Sequence, residues 1–229
     1  GRIFAKLSRE IAVAAREKGG DPEYNARLRT AIENAEAENM PKENIERAIK
    51  RGTGELEGVD YHEYSLEGYG PGGAALFLEC LTDNENRTVQ EVRHLLETHG
   101  GNLGRDGSVA WMFERKGRVL LDADRYDGEA VLEAAVAAGA EDMRRDGDVY
   151  EVLTSTGDFH EVQEGLEEQG LDFEEARLVM VPETTMEVDG SEAGPLLDLL
   201  EELEDHDDVQ HVYSNLELDE DALDTVEVA

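Results

Sequence analysis

From Glu67 to Gly101 the chain reads "EGYGPGGAALFLECLTDNENRTVQEVRHLLETHGG". Gly68, Gly70 and Gly73 make a literal G-x-G-x-x-G. That spacing cradles a dinucleotide when a strand precedes it and a helix follows, because the helix N-terminus holds the pyrophosphate. Here the glycines are followed by "AALFLECL", an apolar run of strand length, and the helical pattern starts only after Asp83. The loop therefore opens a sheet, and no cofactor is expected on it. "AALFLECLTD" predicts a strand, "NRTVQEVRHLLETHG" a helix and "SVAWMFER" a second strand.

The same order recurs three times downstream. "RVLLDA", "GEAVLEAAVAAGA" and "EDMRRDG" read as strand, helix and short strand. "DVYEVLTS", "DFHEVQEGLEEQG" and "ARLVMVPE" repeat it, as do "TTMEVD", "EAGPLLDLLEELEDH" and "DVQHVYSNLEL". Two such units make one split β-α-β sandwich of ferredoxin-like type. Four units permit two tandem domains, or a nested arrangement in which the first and fourth complete each other around the middle two. The residues favour neither pairing.

Upstream, the pattern is helical. "RIFAKLSREIAVAAREK" places Ile3, Phe4, Leu7, Ile11 and Ala14 on one face, and Gly19 with Gly20 stops the helix. Asp21 before Pro22 reads as an N-cap for a second helix through Leu28, Ile32 and Ala35. Pro41 starts a third, "PKENIERAIKRG", which Gly52 ends. "TGELEGVD" is a short linker.

The 229 residues carry 21 Lys+Arg against 56 Asp+Glu, a net charge of -35. Strong apolar periodicity argues against disorder, and so acidic a surface points to a salt-rich cytoplasm. The charge is unevenly spread. Residues 1–56 hold 11 basic and 10 acidic groups, residues 57–116 hold 5 and 11, and residues 117–229 hold 5 and 35. A polyanion is attracted to the first quarter and repelled by the last half. The single cysteine, Cys80, lies in an apolar run; it excludes a disulfide framework and reads as a buried small residue. No apolar run has the length of a membrane span.

On the first helix Arg2, Lys6, Arg9 and Arg16 share an arc of about 80° at 100° per residue. The third helix adds Lys42, Arg47, Lys50 and Arg51. These two faces are candidate phosphate contacts. Three loops, "EGYGPGG", "TDNENRT" and "HGGNLGRDGS", carry Tyr69, Arg87, Asn102 and Arg105, residue types that stack on bases or bind phosphate oxygens. In the second loop Asn86 can instead cap the helix. "DHDDVQH" sets His206 and His211 beside Asp205, Asp207 and Asp208, read as an acidic helix end and turn with no metal. No activated nucleophile is paired with a base, so no enzyme is expected.

Five blocks, "REIAVAAREKGGDPEYNARLRTAIENAEAENMPKENIERAIKRGTGE", "LEGYGPGG", "CLTDNENRTVQEVRH", "GGNLGRDGSVAWMF" and "LEDHDDVQHVYSN", resemble the YebC/PmpR family across nearly the whole chain. Relatives in that family include a mitochondrial translational activator of cytochrome c oxidase subunit I. The resemblance implies an α+β fold: an N-terminal three-helix domain followed by two ferredoxin-like α/β-sandwich domains, one inserted into the other. Domains are then expected at 1–56, at 57–116 plus 184–229, and at 117–183. It implies a cytoplasmic, non-enzymatic, nucleic-acid-binding regulator without cofactor or metal. The expected partner is ribosomal RNA on the ribosome, where some members relieve stalling; the alternative is DNA, in a transcriptional regulator. A small-ligand-binding regulator is a third reading, and no membrane contact and a monomer are expected.

The resemblance carries the basic helices over as candidate contacts, with Tyr69, Gly70, Pro71, Gly72, Asn86, Arg87, Asn102 and Arg105. Two departures stand out. Family members normally begin with a further basic stretch before the position of Gly1, so the chain reads as truncated. Its acidity also exceeds the family's habit, and nucleic-acid binding driven by charge weakens in molar salt, where the Debye length is about 3 Å.

Overall fold

The computed structural model describes residues 1–217 and is an α+β fold. Three helices come first: α1 (Arg2–Lys18), α2 (Ala26–Ala37) and α3 (Lys42–Thr53). The start of α2 corrects the expectation. Asn25, buried to 1% exposure, is the N-cap, accepting from the Leu28 amide at 3.1 Å. Asp21 forms only a local turn, accepting from the Glu23 amide at 3.0 Å. Asn25 also donates to the Ala14 and Gly19 carbonyls, both at 2.8 Å, tying the end of α1 to the start of α2.

Gly52 does not end α3. The helix runs to Thr53 and is closed by Gly54 in the left-handed conformation. A Cβ on Gly52 would lie 2.3 Å from the Ala12 carbonyl oxygen, so glycine is required for α3 to pack against α1.

The chain divides into two compact units. Among the described residues the first comprises 1–6, 59–114 and 180–217. Its sheet has the order β3-β1-β2-β9, from β1 (His62–Tyr69), β2 (Ala75–Thr82), β3 (Asn102–Leu103) and β9 (Val209–Ser214), covered by α4 (Glu85–Thr98) and α7 (Gly190–Asp205). One strand is additional to those expected, and two strand expectations need correction. "HEYSLEGY" forms β1, which pairs antiparallel with β2 from His62↔Thr82 to Tyr69↔Ala75. The glycines thus connect a β-hairpin: a strand does precede them, but β2 and no helix follows. "SVAWMFER" does not pair in this sheet. Its Ala110–Met112 is a 3-10 turn, and β3 takes the edge beside β1.

"TTMEVD" contributes only β8 (Met186–Glu187), parallel to β10 (Leu216–Glu217) in a separate two-stranded ribbon. The strand order is that of a split β-α-β sandwich whose third strand is supplied by β1 from the N-terminal side. The alternation in "HEYSLEGY" is weak because Glu67 faces inward, which explains why periodicity missed it.

The second unit comprises residues 7–58 and 115–179. Its sheet, order β5-β6-β4-β7, uses β4 (Phe113–Asp122), β5 (Asp142–Asp146), β6 (Val149–Thr154) and β7 (Glu175–Pro182). α5 (Gly128–Ala138) and α6 (Phe159–Glu168) bury Val131, Ala134, Val162 and Leu166 against Val119, Leu121 and Val152. The sequence β-α-β-β-α-β in this order is the ferredoxin-like arrangement. Asn34 on α2 meets the edge strand β7 as another strand would: its amide donates to the Ala176 carbonyl at 2.7 Å and accepts from the Ala176 amide at 2.8 Å.

Candidate nucleic-acid interface

The hairpin glycines are shaped by packing. Gly70 and Pro71 are buried. A Cβ on Gly70 would lie 2.7 Å from Leu196 of α7, and one on Gly72 would lie 2.7 Å from Val188. Gly72 also has φ +78, which disfavours any side chain. Gly101 lets the chain after α4 return beneath the hairpin, since its Cβ would lie 2.2 Å from the Tyr69 carbonyl oxygen. The glycines thus fit the hairpin against its own unit, and Gly72 with Gly73 remains exposed at the tip.

The structure brings two of the three polar loops together. Asn102 is the register partner of Tyr69, and the Tyr69 hydroxyl donates to the Ser108 carbonyl at 3.4 Å. Asn102 and Arg105 are exposed and Tyr69 is half-buried. Beneath them lies Glu67, 4% exposed, whose role the sequence did not reveal. Its carboxylate accepts from the amides of Gly107 at 2.6 Å, Val109 at 3.0 Å and Ala110 at 2.6 Å. Its carbonyl accepts from the Gly104 amide at 2.8 Å. One buried anion therefore fixes the loop from Gly104 to Ala110. The loop ends on Trp111, which is 69% exposed although its sequence surroundings predict a strand. The clue available in the sequence was an aromatic directly after a Gly-Arg-Asp-Gly-Ser turn.

Asn86 and Arg87 lie elsewhere. They belong to the first turn of α4, which follows Thr82 at the far end of β2 from the hairpin, a strand length of about 23 Å away. Asn84, not Asn86, is the N-cap, accepting from the Arg87 amide at 3.1 Å; Asn86 is exposed. Arg87 is engaged by Asp83 at 2.8 Å and by the buried Asp208 at 3.0 Å. "DHDDVQH" is the turn from α7 into β9, as read. Glu91, His206 and Asp208 bring ligand atoms within 4.8 Å of one another. However, the Thr88 hydroxyl donates to Asp208 at 2.8 Å, His206 Nδ1 accepts from the Asp208 amide at 3.1 Å, and His206 Nε2 faces Glu91 at 2.5 Å.

The basic helices divide between the units. Arg2 and Lys6 belong to the first, where Arg2 pairs with Asp205 at 2.9 Å and Lys6 donates to the Glu204 carbonyl. Both cations thus sit at the C-terminal end of α7, where the helix dipole favours them. Burial, with the neighbouring Arg2 charge, lowers the Lys6 pKa. Arg9 and Arg16 belong to the second unit; Arg9 is half-buried and Arg16 exposed, and each has an interaction partner. On α3, Lys42, Arg47, Lys50 and Arg51 are all exposed, on the half of the helix opposite the buried Ile45 and Ala48. Arg47 makes a long contact of 3.8 Å with the exposed Glu43.

Comparison with known proteins adds the family. Residues 1–55 match the model of the TACO1/YebC protein N-terminal domain, and residues 61–216 match that of the TACO1/YebC second and third domain. A "probable transcriptional regulatory protein" of Persephonella marina is 54% identical over 228 residues, covering 99% of this chain and 91% of the relative. One of the same description from Natranaerobius thermophilus is 51% identical over 228 residues, covering 98% and 91%. A crystal structure of a conserved hypothetical protein from Aquifex aeolicus superposes with a TM-score of 0.92 at 48% identity, covering 96% of this chain and 91% of that one.

Proposed function

The chain belongs to the TACO1/YebC family, and on that premise we propose that it is a non-catalytic, cytoplasmic regulator of gene expression that binds nucleic acid, with structured RNA on the ribosome as its partner. The observation that carries this reading is α3. Four cations, Lys42, Arg47, Lys50 and Arg51, are exposed on one half of that helix in a chain of net charge -35. Elsewhere the acidic surface repels polyanions, so this face selects where a phosphate backbone is accepted. The same acidic surface suits a salt-rich interior, where shape and loop contacts supplement weakened charge attraction.

DNA is the second reading, favoured by the names of the relatives, which are described as probable transcriptional regulatory proteins. Against it, the exposed face of α3 interleaves its cations with Glu43 and Glu46. That pattern suits phosphate contact at fixed points better than base readout in a major groove. Co-sedimentation with ribosomes at near-native KCl tests the choice. Retention in the ribosomal pellet, undiminished by excess duplex DNA, supports the RNA reading. Release by duplex DNA, or a discrete footprint on an operator, overturns it in favour of DNA.

A further inference from the structure

The loop built on Glu67 presents an indole to solvent and holds it there. Trp111 is 69% exposed, yet the backbone on either side of it is pinned. The Ala110 amide is bonded to Glu67, the Met112 amide to the Val109 carbonyl at 2.9 Å, and the Met112 carbonyl to the Glu183 amide at 2.9 Å. The ring is oriented as well, since Nε1 donates to the Ser108 carbonyl at 3.0 Å, the carbonyl that also receives the Tyr69 hydroxyl. The indole's polar atom is therefore satisfied within the loop, and what it offers to solvent is π surface. Exposing a large aromatic ring forgoes its burial, and here the fold spends a buried carboxylate and three amide bonds on fixing it outward.

We propose that Trp111 is a stacking platform for an unpaired nucleobase, with Arg105 of the same loop available to the adjoining phosphate; the inference rests on the nucleic-acid reading above. Every base has a π face, and the indole N–H is already committed to Ser108, so the platform reads accessibility and not sequence. Paired bases within a helix cannot reach it, which makes single-stranded loops and ends its targets. The basic face of α3 binds phosphates of any geometry; Trp111 adds the preference for unpaired strands.

Trp111 is the sole tryptophan, so its fluorescence reports on this site alone. The test uses the full chain with two probes, a short single-stranded oligouridylate and a self-complementary RNA duplex of equal length. Each is titrated by intrinsic fluorescence and, separately, by the anisotropy of a dye on the RNA. The expected result is strong quenching by the single strand, little by the duplex, and a loss of single-strand affinity of about 5- to 100-fold in Trp111→Ala with duplex affinity unchanged. Trp111→Phe keeps a ring and should retain most of the affinity, which separates stacking from a folding defect. Single-strand binding by anisotropy with unchanged fluorescence, or equal affinity in Trp111→Ala, overturns the platform and leaves the nucleic-acid reading standing. Absence of any anisotropy change with both probes overturns both.

Discussion

The guanidinium of Arg87 lies 3.0 Å from the carboxylate of Asp208, a side chain only 3% exposed. Arg87 has the appearance of a loop cation aimed at phosphate, yet its guanidinium is paired with a buried acid. Arg87→Ala removes this guanidinium from beside Asp208, which still accepts from the Thr88 hydroxyl at 2.8 Å. We expect a loss of about 1–3 kcal/mol in urea unfolding, largely restored in the double variant Arg87→Ala/Asp208→Asn. Unchanged stability of the single variant would show the pair to be incidental. Any effect of Arg87→Ala on RNA binding has to be read at a temperature where the variant is folded.

Gly101 and Gly73 separate two uses of glycine. A Cβ at Gly101 meets the Tyr69 carbonyl oxygen at 2.2 Å, whereas one at Gly73 meets open space although φ is +85. Gly101→Ala has to push β3 away from β1 and should cost about 2–3 kcal/mol. Gly73→Ala carries only backbone strain, about 1 kcal/mol. Thermal unfolding of the two variants side by side checks the order, and the reverse order would mean that the hairpin relaxes freely around Gly101.

Burial, together with a hydrogen bond and like charge from Glu167, pushes the Glu33 carboxyl up to about 8 from its ordinary 4.5. Between those values the folded chain holds a proton that the unfolded chain releases, so stability falls as pH rises through the window. Glu33→Gln removes that dependence. Its Tm should match the parent near about pH 4 and exceed it by about 1–3 °C above about pH 8. Parallel Tm profiles for the two proteins would contradict the assignment.

Cys80 is 3% exposed, and burial first, then the Asp208 and Glu79 charges, pushes its thiol up to about 12. The thiolate that reacts is therefore scarce as well as shielded. A thiol-specific disulfide reagent should leave the native protein unmodified at pH about 8 and label it one-to-one in denaturant. Rapid native labelling would mean that β2 opens locally.

Much of the fold is legible in the sequence, and the parts that are not depend on contacts with no local signature. The helices announced themselves because "NRTVQEVRHLLETHG" and its counterparts bury every third or fourth residue. β1 escaped because Glu67 and Gly68 interrupt its alternation, and both are there for the loop that crosses them: Glu67 to bind its amides, Gly68 because a Cβ would lie 2.7 Å from the Asn102 carbonyl. Trp111 is hidden in the sequence because an aromatic after valine and alanine reads as strand whether it points inward or out. The basic stripe on α1 was legible as a stripe, but the acidic end of α7 that engages Arg2 and Lys6 lies about 200 residues away in sequence and has no local signature. Hairpin glycines likewise look the same in sequence whether they admit a phosphate or a leucine.

On the proposed reading, phosphate binding resides on the exposed half of α3. Its most direct test is the RNA affinity of the chain, followed by anisotropy across a KCl series, against a variant with Lys42, Arg47, Lys50 and Arg51 all changed to Gln. We expect weaker binding for the variant and a slope of log affinity against log salt that is shallower by about 3. Equal affinity and equal slope in the two proteins would contradict it.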